Sequence, residues 1–304
     1  QMMALQTRLA IIMAGGAGER FWPLSRHLRP KQLLRLTNED QSLLAEAVER
    51  IEPAIPPENV FIATGRHLVE PIRAAGLKVP DENVIAEPCK RNTAGCLCYA
   101  ASVILSRFET DPSSITMAVL TADHQIGDAA KFRKTVMTSI AAAEANDSLV
   151  TIGIRPSRAD TGYGYIEMNP YAKPAAGSDS EHTIMPVVRF LEKPDQETAQ
   201  RFLATGHYLW NSGMFFWKLD TFLRELDNSN PDLAANVRSM AEAMKTDDWD
   251  TVDTTFTGLP DISIDYALME KARGILVAPA DFPWDDVGTW DALERTFNMD
   301  ADGN

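Results

Sequence analysis

The chain has 304 residues, 45% hydrophobic and 24% charged, a composition that suits one large or two ordinary folded domains and excludes intrinsic disorder. Its 43 acidic against 29 basic residues leave a formal charge of −14, which excludes the broad basic surface of non-specific nucleic-acid binding. No apolar run approaches the roughly 18 residues of a membrane span. Cys89, Cys96 and Cys98 fit neither a disulfide framework nor a zinc pattern, so the expectation is a cytoplasmic protein with no nucleic-acid or membrane partner.

Residues 9–14 read as a strand running into a glycine turn, 41–51 as a helix and 60–63 as a second strand. A helix over 92–108 follows, with Asn92 or Thr93 placed to cap it; then come a strand at 116–120, a helix through 132–145 and a strand at 149–154. This alternation implies βαβ units and an α/β fold, Rossmann-like and doubly wound, with a mainly parallel mixed sheet. Residues 172–181, with Pro174, Gly177 and Ser178, read as an exposed hairpin or loop. Strands are expected at 187–191 and 209–217, and helices at about 219–226 and 232–244. No linker separates the halves, so a single domain over 1–304 is expected.

The first strand ends in Gly15-Gly16-Ala17-Gly18-Glu19-Arg20. Glycines there let backbone N–H groups approach a phosphate closely. A dinucleotide fingerprint from Gly16 is broken by Phe21, and a Walker loop lacks its Gly-Lys-Ser/Thr. A phosphate loop completed by a nearby arginine is left, against a plain strand-to-loop turn. Between Arg20 and Asn38 stand Arg20, Arg26, Arg29, Lys31 and Arg35 with no acidic residue. An acidic chain that holds a polyphosphate needs such an island, because its overall field repels anions; a solvated basic face is the simpler alternative for Arg29 and Arg35. Asp123, just after the apolar run Met117–Leu120, stands where an open parallel sheet collects ligands, and is either a Mg²⁺ ligand or a helix cap. Glu192-Lys193 offers a carboxylate for sugar hydroxyls beside an ammonium for a phosphate, unless it is an ordinary exposed pair.

Residues 15–26 with Pro30-Lys31-Gln32 resemble the signature of the nucleotide-sugar pyrophosphorylases, and within them the bacterial mannose-1-phosphate guanylyltransferase branch. The resemblance spans about residues 8–296 and implies the nucleotide-diphospho-sugar transferase type of α/β fold. It implies nucleotide contacts from Gly15, Gly16, Ala17, Gly18, Glu19 and Asp123. It also implies Mg²⁺ held by Asp123 and by Asp286 of Trp284-Asp285-Asp286-Val287-Gly288. Thr121 stands where the family usually has proline, and His124 reads as structural. Glu87, Arg91 and Asn92 match the guanine-side segment, with Gly95 in place of the usual proline. Gly164, Glu192, Lys193, Asn211, Gly213 and Asp265 match sugar-phosphate segments, although helix capping explains Asp265 equally well. Thr289 is expected to cap a last helix.

The implied reaction transfers GMP from GTP to α-D-mannose 1-phosphate, giving GDP-mannose and pyrophosphate. The attacking phosphate is already mostly dianionic at neutral pH, so no general base is required, and Arg20 and Lys31 are the expected catalytic cations. No hexapeptide repeat follows, so the β-helix or isomerase domain common in the family is not expected. Oligomeric state is not readable, with a homodimer left open. The alternatives are a guanylyltransferase for another sugar 1-phosphate, a non-catalytic nucleotide-sensing paralogue and, weakest, a dinucleotide-dependent oxidoreductase.

Overall fold

The computed structural model describes residues 6–16 and 21–288. Its elements run β1 (Thr7–Met13), α1 (Leu43–Ile51), β2 (Val60–Gly65), α2 (Val69–Ala74), β3 (Val84–Glu87), α3 (Asn92–Arg107), β4 (Ile115–Thr121), β5 (Gln125–Ile126), α4 (Ala129–Asn146) and β6 (Val150–Ile154). There follow β7 (Tyr165–Met168), β8 (Met185–Leu191), α5 (Gln196–Thr205), β9 (Tyr208–Lys218), α6 (Leu219–Ser229), α7 (Pro231–Lys245), α8 (Trp249–Thr257), β10 (Leu276–Pro279) and β11 (Trp284–Asp285).

Nine strands form one sheet in the order β3-β2-β1-β4-β9-β6-β10-β8-β7, with β7 also pairing β9. The first four neighbours are parallel, as are β6 and β10; β9 inserts antiparallel between β4 and β6. The unbroken apolar run of β1 follows from its central place. Leu9 and Ile11 face one core with α3, α6, α7 and α8, while Ala10 and Ile12 face the other with α1 and α4. A strand covered on both faces has no polar side to alternate.

Local signals place the helices. Ser42 accepts from the Ala45 amide and starts α1, whose Leu44, Ala47, Val48 and Ile51 form one buried stripe. Helix α3 departs from the expected capping: it begins after Arg91 with no side-chain cap, Asn92 is left-handed at φ 58°, and the Thr93 hydroxyl instead accepts from the Ile264 amide at 2.8 Å. The 172–181 segment is indeed a mostly exposed loop, and Gly177 lies so close to the α4 backbone at Ala142 that a Cβ would overlap it. The expected elements do not include α2, α5, α8, β3, β5, β7, β10 or β11. The expected helix after Thr289 lies outside the described residues.

Strand β9 carries an irregularity that matters below. Thr151 pairs with Phe215 but Gly153 pairs with Asn211, so β9 advances four residues while β6 advances two. The excess forms a bulge over residues 211–214, and Gly213 takes φ 73° there, a conformation other residues resist.

Candidate active site

A cavity of about 610 Å³ opens where β1 to β4 end, lined by Gly15, Gly16, Glu87, Arg91, Asn92 and Asp123 among others. Its floor is built from backbone. The Ala14 carbonyl accepts from Gln32 Nε2 at 2.7 Å and from Thr64 Oγ1 at 2.9 Å, which ties the Pro30–Gln32 turn and β2 to the end of β1. Gly15 packs closely on the cavity wall, where a Cβ would stand 3.2 Å from Glu87 Oε2. Burial raises the Glu87 pKa to about 8, so at neutral pH its carboxyl is largely protonated and offers one donor and one acceptor. Ala17, Gly18, Glu19 and Arg20 lie outside the described residues.

Among the described residues Lys31 is the best-placed cation. Only 6% exposed, it extends over the Phe21 ring, and its Nζ donates to Asp123 Oδ2 at 3.1 Å and to the Asp286 carbonyl at 2.7 Å. Phe21, whose size broke the dinucleotide fingerprint, is itself core, packed with Leu34, Leu36, Leu43 and Val287. Burial raises the Asp123 pKa, but the Lys31 ammonium and His124 outweigh it, and the carboxyl ends below its ordinary range. It is therefore ionised, and it remains 39% exposed towards the cavity.

Residues 123 and 286, far apart in sequence, meet because β5 and β11 pair, setting Trp284 opposite Ile126 and Asp285 opposite Gln125. The Trp284 indole N–H donates to His124 Nδ1 at 3.1 Å, and His124 Nε2 lies 3.8 Å from Asp123 Oδ1. Burial lowers the His124 pKa, and the ring stands as a brace beside Asp123. Asp286 Oδ1 accepts from the Tyr163 hydroxyl at 2.7 Å.

Tyr163 leads into the second half of the site. The Gly164 carbonyl accepts from the Asn211 amide at 2.8 Å, and a Cβ at Gly164 would collide with Glu192 Oε2. That oxygen is shielded from solvent and has no hydrogen-bond partner, a costly state for an ionised carboxylate and one that favours the protonated form. Asn211 Nδ2 donates to Asp265 Oδ1 at 2.9 Å, and its Oδ1 accepts from the Gly213 amide. Burial first, then the neighbouring Asp265, lifts the Glu192 pKa to about 7; burial likewise lifts Asp265 to about 6. Lys193, exposed and left-handed at φ 47°, stands at the rim.

Residues 9–303 match the family model for nucleotidyl transferases. The chain belongs to the nucleotidyl transferase family. It is 38% identical over 301 residues to a mannose-1-phosphate guanylyltransferase of Klebsiella pneumoniae, covering 97% of this chain and 61% of that protein. It is 39% identical to the xanthan biosynthesis protein XanB of Xanthomonas campestris pv. campestris (strain B100), again over 97% of this chain and 61% of that one. The chain thus spans about three-fifths of the length of these curated relatives. A crystal structure described as a mannose-1-phosphate geranyltransferase from Thermus thermophilus superposes with a TM-score of 0.84 at 34% identity, covering 97% of this chain and 80% of that one.

Within this nucleotidyl transferase the candidate residues gather in two groups joined at Tyr163. Glu87, Gly15, Gly16, Lys31, Asp123 and Asp286 surround the ends of the parallel strands; Gly164, Glu192, Asn211, Gly213 and Asp265 surround the β9 bulge. Arg91 lines the cavity but turns its guanidinium to the carbonyls of Lys90 and Thr257, closing the end of α8. Asn92 accepts from the Thr93 amide, and the Ala94 amide donates to the Ile262 carbonyl, so two of the first amides of α3 are engaged by protein groups. Gln32, Thr64, Arg158 and Trp284 had no assigned part in the sequence reading. Gln32 and Trp284 sit inside motifs already quoted, whereas Thr64 and Arg158 carry no local signal. No described helix is long and apolar enough to cross a membrane.

Proposed function

We propose that this chain transfers GMP from GTP to α-D-mannose 1-phosphate, releasing pyrophosphate. A phosphate oxygen of the sugar phosphate attacks the α-phosphorus in line, and catalysis consists of bringing two anions together and neutralising the charge that builds between them. The observation that carries this reading is Lys31: one buried ammonium touches Asp123 beside the cavity and the backbone of Asp286, whose carboxylate accepts from Tyr163. The relatives named above support the choice of guanine and mannose.

The triphosphate lies along the glycine loop, with Lys31 and Arg20 supplying positive charge. Protonated Glu87 pairs with the base edge through its donor and acceptor. Glu192 and Asn211 accept and donate to the sugar hydroxyls, and the exposed Lys193 takes the sugar phosphate. Among the described residues no three His, Cys, Asp or Glu side chains gather at metal-binding spacing. That suits Mg²⁺, which binds one or two carboxylates and completes its shell with substrate phosphate and water. The ionised, solvent-facing Asp123 and the nearby Asp286 provide that hard-oxygen donor pair, and the ion when bound neutralises phosphate charge. Pyrophosphate release, measured with Mg²⁺ across a grid of nucleoside triphosphates and sugar 1-phosphates, tests the reading. GTP with mannose 1-phosphate should give the highest kcat/KM; release that prefers another pair, or none at all, overturns it.

A further inference from the structure

Tyr163 belongs to neither group of residues, yet it touches both. Its ring lies 4.8 Å from Trp210 and 5.6 Å from Trp284, with the Arg158 guanidinium 5.9 Å above it and 5.1 Å above Trp210. Arg158 is itself fixed by Asp160 at 2.8 Å. The Tyr163 hydroxyl holds Asp286 Oδ1 at 2.7 Å. From there the contacts run through Lys31 to Asp123, through His124 to Trp284, and back to the Tyr163 ring. The Asp123 carboxylate is therefore braced from two sides, whereas Asp286 is held by Lys31 at its backbone carbonyl and by Tyr163 at its carboxylate, and Tyr163 is the one member of this circuit that belongs to the loop before β7. The next residue, Gly164, lies against Glu192 and accepts from the Asn211 amide.

We propose that Tyr163 is a positioning residue that couples occupancy of the sugar side to the aspartate pair, so that sugar phosphate and divalent cation bind cooperatively. This rests on the reading of Asp123 and Asp286 as cation ligands. A sugar seated on Glu192 and Asn211 fixes Gly164, and a fixed Gly164 fixes the preceding tyrosine, whose hydroxyl sets the orientation of Asp286. The phenol–carboxylate bond is charge-assisted, so its direction is well defined. The coupling is reciprocal: the cation must tighten the sugar phosphate by the same factor.

The test uses Mn²⁺ as a paramagnetic probe, titrated by electron paramagnetic resonance into the full chain with α,β-methylene-GTP, with and without mannose 1-phosphate. In the unaltered protein the sugar phosphate should tighten Mn²⁺ by about fivefold or more. Tyr163→Phe keeps the ring between Trp210 and Trp284 but loses the hydroxyl. It should weaken Mn²⁺ by about tenfold, as loss of an outer partner of a metal ligand does, and reduce the sugar enhancement to below about twofold. Unchanged Mn²⁺ affinity and enhancement in Tyr163→Phe overturn the proposal. Asp286→Asn separates the two ideas. If it weakens Mn²⁺ while Tyr163→Phe is silent, the coupling alone falls; if Asp286→Asn is also silent, the cation assignment falls and takes the coupling with it.

Discussion

Replacing Glu87 with Gln isolates the cost of an acid in the cavity wall. The side chain belongs to a residue only 7% exposed, and burial raises its pKa from 4.5 to about 8. Between those values the folded protein keeps a proton that the unfolded chain has released. The group's contribution to stability is thus complete below pH 4.5 and is lost as pH rises towards about 8, where the folded carboxyl ionises too. At about 1.4 kcal/mol per pH unit, the loss is about 3 kcal/mol from pH 5 to 7 and about 5 kcal/mol over the whole window. Gln has a similar shape and never ionises, so it removes the dependence. Urea unfolding of both proteins at pH 5, 7 and 8.5 without ligand is the assay, and the difference between them cancels the other titrating groups. Stability of the unaltered protein relative to Glu87→Gln should fall by about 3 kcal/mol between pH 5 and 7 and level off above about pH 8. A difference that does not change with pH would refute the claim that the cavity holds this carboxyl neutral.

Lys31→Ala should lower kcat by about 10²–10³ if the ammonium stabilises charge at the reacting phosphate, and near-normal turnover would remove it from the mechanism. Asp123→Asn should raise the Mg²⁺ concentration needed for half-maximal rate by about tenfold or more, and an unchanged metal titration would count against its ligand role. Gly164→Ala places a methyl against Glu192 Oε2, so KM for the sugar phosphate should rise by about tenfold while KM for GTP holds, as initial-rate kinetics with each substrate varied would report.

Much of the parallel half was legible because its signals are local. The apolar run of β1, the Ser42 cap and the position of Asp123 after β4 need only periodicity and strand-end logic. The sugar half depends on contacts between distant segments. Nothing within residues 158–164 discloses that Tyr163 reaches Asp286, and nothing near Arg91 discloses that the carbonyl of Thr257 will claim it. Helix α5 was hidden by its short length and sparse apolar content, with only Ala199 and Phe202 buried. The capping of α3 was misread because Thr93 serves the tertiary neighbour Ile264 rather than its own helix, a choice that propensity does not encode.

The β9 bulge has a consequence for how this fold can vary. Its excess is two residues, an even number, so in/out parity survives it: Leu209, Phe215 and Trp217 all join the core with α3, while Trp210, Met214 and Phe216 all join the opposite one. An odd excess would have turned one end of the strand inside out. The excursion at 211–214 thus leaves the residues on either side of it assigned to the same two hydrophobic layers. A further two-residue change in its length would keep both layers in phase, whereas a one-residue change would not.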